Sequence, residues 1–124
     1  MYTPPPNPAT PPINLEDALA ALGGNAQLLN TVVQMVLDQS NVDMAAIRSD
    51  VAANRAVALA ASSHRLKGSL GAIAAEPAHQ ACSALNTLAR NGAADSYEMG
   101  LAHLEEELGR LLPCLQTWLA HNKN

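Results

Sequence analysis

From Leu29 onward, hydrophobic positions recur at three- and four-residue steps: Leu29, Val33 and Val36, then Ser40, Met44, Ile47 and Val51. That spacing lays them along one stripe of a helix. The helix is predicted to start after an Asn25 cap and to run to about Ala53, with Ser40-Asn41 as its weak point. Upstream, Asn14 can cap a short helix through about Leu22. Glu16 and Asp17 stand in its first turn, where the macrodipole favours acids, and Gly23-Gly24 ends it. A third helix, from about Arg55 to Ala74, carries the stripe Leu59, Ser63, Leu66, Leu70 and Ile73. Pro77 fits the first turn of a fourth, which buries Ala78, Cys82 and Leu85 and stops at Asn91-Gly92. Asp95 can cap the last helix, whose stripe is Tyr97, Leu101, Leu104, Leu108, Leu111, Leu115 and Trp118. Pro113 must kink or divide it, because its ring meets the carbonyl of Gly109. Four substantial amphipathic segments joined by short turns predict an all-α protein. The expected form is an up-down-up-down antiparallel four-helix bundle with a short additional N-terminal helix over one end.

The stretch before the first helix reads differently. Residues 2–12 hold six of the eight prolines, so residues 1–13 are expected to form an extended, semi-rigid linker or a disordered tail, with residues 14–122 as the helical domain. A proline-rich start of this kind suggests a piece from the C-terminal end of a longer protein.

With 124 residues the chain fits one domain able to build a core without disulfides. Tyr2, Tyr97 and Trp118 are its only aromatics, a composition that suits helices better than strands. A net charge of -4 and the absence of a basic stripe exclude nucleic acid as the expected partner. No apolar run reaches the roughly 20 residues of a bilayer span, so no direct membrane contact and a cytoplasmic location are expected. Cys82 and Cys114 both fall on apolar stripes and read as small core side chains in a reducing compartment.

The chemistry concentrates in Ser62-Ser63-His64-Arg65-Leu66-Lys67-Gly68-Ser69. Positions i, i+3 and i+4 are neighbours on a helix, so Lys67 and Gly68 flank His64. Ala60, Ala61 and Gly71 extend that face with side chains too small to cover an imidazole. A cation one turn away disfavours imidazolium and leaves a neutral ring nitrogen able to act as a nucleophile. Once that nitrogen carries a phosphoryl group, the same lysine becomes its counter-charge. At an effective dielectric near 20, a unit pair about 4 Å apart is worth roughly 4 kcal/mol before desolvation and entropy. Arg65 points about 100 degrees away from His64 and belongs at the rim.

The run His64-Arg-Leu-Lys67-Gly68-Ser69, followed by Cys82 and Leu85-Asn86, resembles the histidine-containing phosphotransfer (HPt) domains of phosphorelays, over roughly residues 14–121. The resemblance implies that His64 accepts a phosphoryl group from a receiver-domain aspartate and passes it to another receiver. Lys67 would steady the phosphate and Gly68 would leave room for the partner. Asn86 matches a position, commonly Gln or Glu, that hydrogen-bonds the other imidazole nitrogen, and Asn is one methylene shorter than Gln. Ser69 and Arg90 would support the phosphoryl group, and Ala60, Ala61, Arg65 and Gly71 would form the docking face. Ala74 stands where the family usually has glycine. No cofactor is expected in the chain itself, and magnesium would belong to the receiver. Partners would be response-regulator receiver domains, bound transiently by a monomer. The parent would be a hybrid sensor histidine kinase, this piece being a phosphohistidine carrier with no ATP site of its own.

Three other readings stay open: an interaction module that keeps the fold without the chemistry, the dimerisation and phosphoacceptor domain of a histidine kinase, and the phosphoacceptor domain of a chemotaxis-type kinase. The second usually has an acidic residue directly after its histidine, where this chain has Arg65. His79, His103 and His121 read as scattered surface histidines, and Glu105-Glu106-Glu107 as a wetted helix face. Gly100 occupies the place where a Glu-x-x-His metal motif needs its glutamate, so no metal site is expected.

Overall fold

A computed structural model describes residues 11–122, and the expected linker falls largely outside the described residues. The described chain is all-helical: α1 (Leu15–Ala21), α2 (Ala26–Ala52), α3 (Ala56–Ala72), α4 (Glu76–Arg90), a 3₁₀ turn (Ala94–Ser96) and α5 (Tyr97–His121). Both asparagine caps form as expected. Asn14 Oδ1 accepts from the Asp17 amide and Asn25 Oδ1 from the Leu28 amide, each at 3.0 Å, satisfying donors that the first helical turn leaves over.

Each of α1 to α4 closes with the same pair of backbone bonds. The third residue beyond the helix end donates back five residues and its predecessor back three, as in Ala75 to Leu70 and Ala74 to Gly71, both at 3.1 Å. This closure places the second residue beyond each helix in the left-handed region: Gly23, Asn54, Ala74 and Gly92. Glycine and asparagine tolerate that backbone, whereas Ala74, at φ 54°, does not do so freely.

The predicted stripes of α2, α3 and α4 are buried, and all but Trp118 of the stripe on α5 is buried with them. Antiparallel contacts join α3 to α4, and α5 returns to α2, where Trp118 Nε1 donates to Asn30 Oδ1 at 2.9 Å and Arg48 meets Glu105 at 2.9 Å.

Several expectations need correction. The Ser40-Asn41 step does not interrupt α2, which is helical throughout. Asp95 makes no side-chain cap; it lies within the 3₁₀ turn, and α5 begins only at Tyr97. Pro113 does not divide α5. Cys114 is only partly buried. His103 is not a surface residue, and Glu107 leaves the wetted run of Glu105 and Glu106. Both are buried, with His103 Nε2 3.7 Å from Glu107 Oε2 and Arg110 donating to Glu107 Oε1 at 2.7 Å.

Candidate functional site

Helix α3 divides its residues sharply. Leu59, Ser62, Ser63, Leu66, Leu70 and Ile73 are buried, while Ala61, His64, Gly68 and Gly71 are exposed and Ala60 and Lys67 are half-buried. His64 therefore stands on the open face with Lys67 and Gly68 one turn further along. Neither the His64 imidazole nor the Lys67 ammonium has a hydrogen bond or ion pair among the described residues. A neutral imidazole so placed keeps a lone pair available to an incoming electrophile.

Gly68 is informative because nothing inside the domain asks for it. A Cβ built there would meet no atom within 4 Å, and its backbone is ordinary right-handed helix. Glycine inside a helix costs about 1 kcal/mol relative to alanine, so an internal packing demand does not account for it. At Gly71 a Cβ would meet the His79 ring at 3.5 Å, an ordinary contact. His79, half-buried on α4, thus borders the small-residue face; its place one turn after Ala75 gave no sign of this in the sequence.

Below the open face, α4 fastens to the backbone of α3. Asn86 Nδ2 donates to the Ala60 carbonyl at 2.9 Å and to Ser63 Oγ at 3.0 Å, and the Cys82 thiol donates to the Ser63 carbonyl at 3.1 Å. Asn86 accordingly does not reach the imidazole: its shorter side chain is spent on the helix turn that precedes His64. Burial pushes the Cys82 thiol up to about 12, with the Lys67 ammonium partly offsetting that and the Asp43 carboxylate adding to it.

Two other supporting residues sit elsewhere. Since α4 runs antiparallel to α3, with His79 beside Gly71 and Asn86 beside Ala60, Arg90 lies a further turn of about 6 Å toward the start of α3, away from His64. Ser69 donates back to the Arg65 carbonyl at 3.5 Å and faces the groove between α2 and α3 rather than the histidine face.

Two buried acids on α2 escaped the sequence reading. Asp50 accepts from Ser62 Oγ at 2.8 Å and from Arg55 Nε at 3.1 Å. Asp43 accepts from Gln39 Nε2 at 3.1 Å and from Arg65 Nε at 3.4 Å. The available signal was their seven-residue spacing, which with Val36, Ser40 and Ile47 continues one helical face. The described residues contain no group of His, Cys, Asp and Glu arranged to hold a metal ion, and no helix among them is long and apolar enough to cross a membrane.

A family model described as the Hpt domain matches residues 31–113, from within α2 to Pro113 in α5. No curated protein and no solved structure gives a significant match.

Proposed function

We propose, on the premise that the chain belongs to the Hpt domain family, the phosphotransfer carriers of two-component phosphorelays, that His64 is its phosphoacceptor. A neutral His64 ring nitrogen attacks the phosphorus of a receiver aspartyl phosphate in line. The N–P bond forms, the P–O bond to the aspartate breaks, and the free carboxylate stays on the receiver. Transfer to a second receiver runs the same exchange in the other direction. Magnesium and the acidic pocket belong to the receiver; this chain supplies the nucleophile, the Lys67 counter-charge and the clearance at Gly68. Residues 14–122 act as one monomeric unit, with α2 to α5 as an up-down-up-down antiparallel four-helix bundle and α1 at one end.

The observation that carries this reading is the joint exposure of His64 and Gly68 on one face, with Lys67, unpaired among the described residues, beside them and a glycine that internal packing does not require. In this reading Asn86, whose amide donates to the Ala60 carbonyl and Ser63 Oγ, supports the α3 backbone below His64. Ser69 and Arg90 lie outside the phosphate's surroundings in this reading, and Ala60, Ala61, Arg65 and Gly71 form the docking face.

The test is phosphoryl transfer from a panel of phosphorylated receiver domains to the native chain and to His64→Gln, read as acid-labile phosphate. Label on the native chain that is missing from the variant supports the reading. Label that persists in the variant, or a native chain that no receiver labels, defeats it.

A further inference from the structure

Asp43 is fully buried on α2, yet only one of its oxygens is engaged. Oδ1 accepts from Gln39 and Arg65, while Oδ2 has no partner among the described residues. Burying a half-satisfied carboxylate is costly, and an apolar residue of similar volume in such a place is often neutral or stabilising. Packing therefore does not explain Asp43, and its partner Arg65 is the next place to look.

Arg65 directly follows His64 in the chain. Its side chain is 54% exposed, and its Nε is drawn to Asp43. Both Nη nitrogens are without a hydrogen-bond partner among the described residues. The guanidinium is planar and rigid, so an anchor on the Nε edge fixes where the remaining N–H donors point. Arg65 itself lines the groove between α2 and α3, a cavity of about 650 Å³ with Val32, Met35, Val36 and Ala72 in its walls. The groove's own acid, Asp38, accepts from Gln34 Nε2 at 3.0 Å, which leaves Arg65 as its cation.

We propose that Asp43 is a positioning residue: from inside the bundle it holds the Arg65 guanidinium at the groove rim, where its outward N–H groups receive a carboxylate of the docking receiver domain. This rests on the phosphotransfer reading and adds a recognition element beside the phosphoacceptor. Anchoring removes most of the arginine's rotamer freedom before the partner arrives, so less is lost on docking. It also draws Arg65 toward α2, leaving Lys67 as the cation beside the phosphoryl group.

Two phosphodonors separate docking from chemistry. Phosphoramidate labels an exposed histidine by exchanging its P–N bond and releasing ammonia, with no protein surface involved. The second donor is the receiver that transfers fastest in the panel. For Asp43→Asn and Arg65→Ala, the KM for the phosphorylated receiver is expected to rise about five- to tenfold, with kcat and phosphoramidate labelling within about twofold of native. The double variant should be no worse than Arg65→Ala alone, because Asp43 acts only through Arg65. Arg65→Lys should behave like Arg65→Ala, since lysine keeps the charge and loses the anchored fork.

A native KM in Asp43→Asn, or effects that multiply in the double variant, overturns the proposal. If Asp43→Asn does not fold, Arg65→Lys decides alone: a raised KM sustains the anchored fork and a native KM overturns it. A native chain labelled by phosphoramidate but by no receiver defeats the phosphotransfer reading and this inference with it. Labelling by both donors with a native KM in every variant defeats this inference alone.

Discussion

Asn86 on α4 donates its side-chain amide to the backbone carbonyl of Ala60 on α3 at 2.9 Å, one turn before the exposed His64. The same amide reaches Ser63 Oγ, so a single buried side chain sets both the spacing and the register of the two helices. Truncation to alanine removes both bonds and leaves buried acceptors short of a donor, at a cost of about 1–3 kcal/mol. Urea unfolding of Asn86→Ala should show that loss. The folded variant should still take label from phosphoramidate at close to the native rate, because nothing joins Asn86 to the ring. A labelling rate that collapses while stability holds would mean that Asn86 acts on the imidazole after all.

At Gly68 stability and function should part company. Open space around the missing Cβ and an ordinary helical backbone predict that Gly68→Ala stabilises the domain by about 1 kcal/mol. The added methyl projects from the face that a receiver must approach, so receiver-driven labelling should fall while phosphoramidate labelling persists. Denaturant melts paired with the two labelling assays check this, and a variant that is both more stable and fully active with receivers would remove the case for clearance.

The turn after α3 carries a correctable strain. Ala74 holds φ at 54° in a closure whose counterparts are Gly23, Asn54 and Gly92. An L-residue with a Cβ costs roughly 1–2 kcal/mol there, partly offset by glycine's greater freedom when unfolded. Ala74→Gly is therefore expected to raise the unfolding free energy by about 0.5–1 kcal/mol. Unchanged or lowered stability in a urea titration would contradict it.

How much of this was legible in the sequence depended on whether a feature is local. The apolar stripe Leu59, Ser63, Leu66, Leu70 and Ile73 lies inside one helix, so its period alone separated the buried side from the face of His64. The Asn14 and Asn25 caps and the glycine turns are equally local. Asp43, Asp50, His103 and Glu107 were misread or missed because their burial is compensated by residues that only the packed chain, or the buried side of one helix, brings into reach: Arg65, Ser62 and Arg110. The surroundings of Asn86 and Arg90 were hard to read for a related reason. Their sequence distance from His64 fits proximity, but the antiparallel register of α4 on α3 and one missing methylene decide what each can touch.

Cys82 gives the fold a signature at alkaline pH. Its thiol, donating to the Ser63 carbonyl at 3.1 Å, is pushed from an ordinary 9.0 up to about 12, chiefly by burial. Between those values the unfolded chain releases the proton while the native chain keeps it. The native state then binds more protons, and stability must fall as pH rises across that interval. Below pH 9 both states are protonated and the group is neutral to stability. Urea unfolding at about pH 8 and about pH 10.5 should show the native chain losing about 1–2 kcal/mol more than Cys82→Ala. The comparison with that variant cancels the titration of lysines and tyrosines. A thiol reagent at about pH 8 should modify the half-buried Cys114 first and reach Cys82 only on unfolding. Equal rates at the two cysteines, or parallel pH profiles in the two proteins, would show that the Cys82 thiol is not held closed beneath His64.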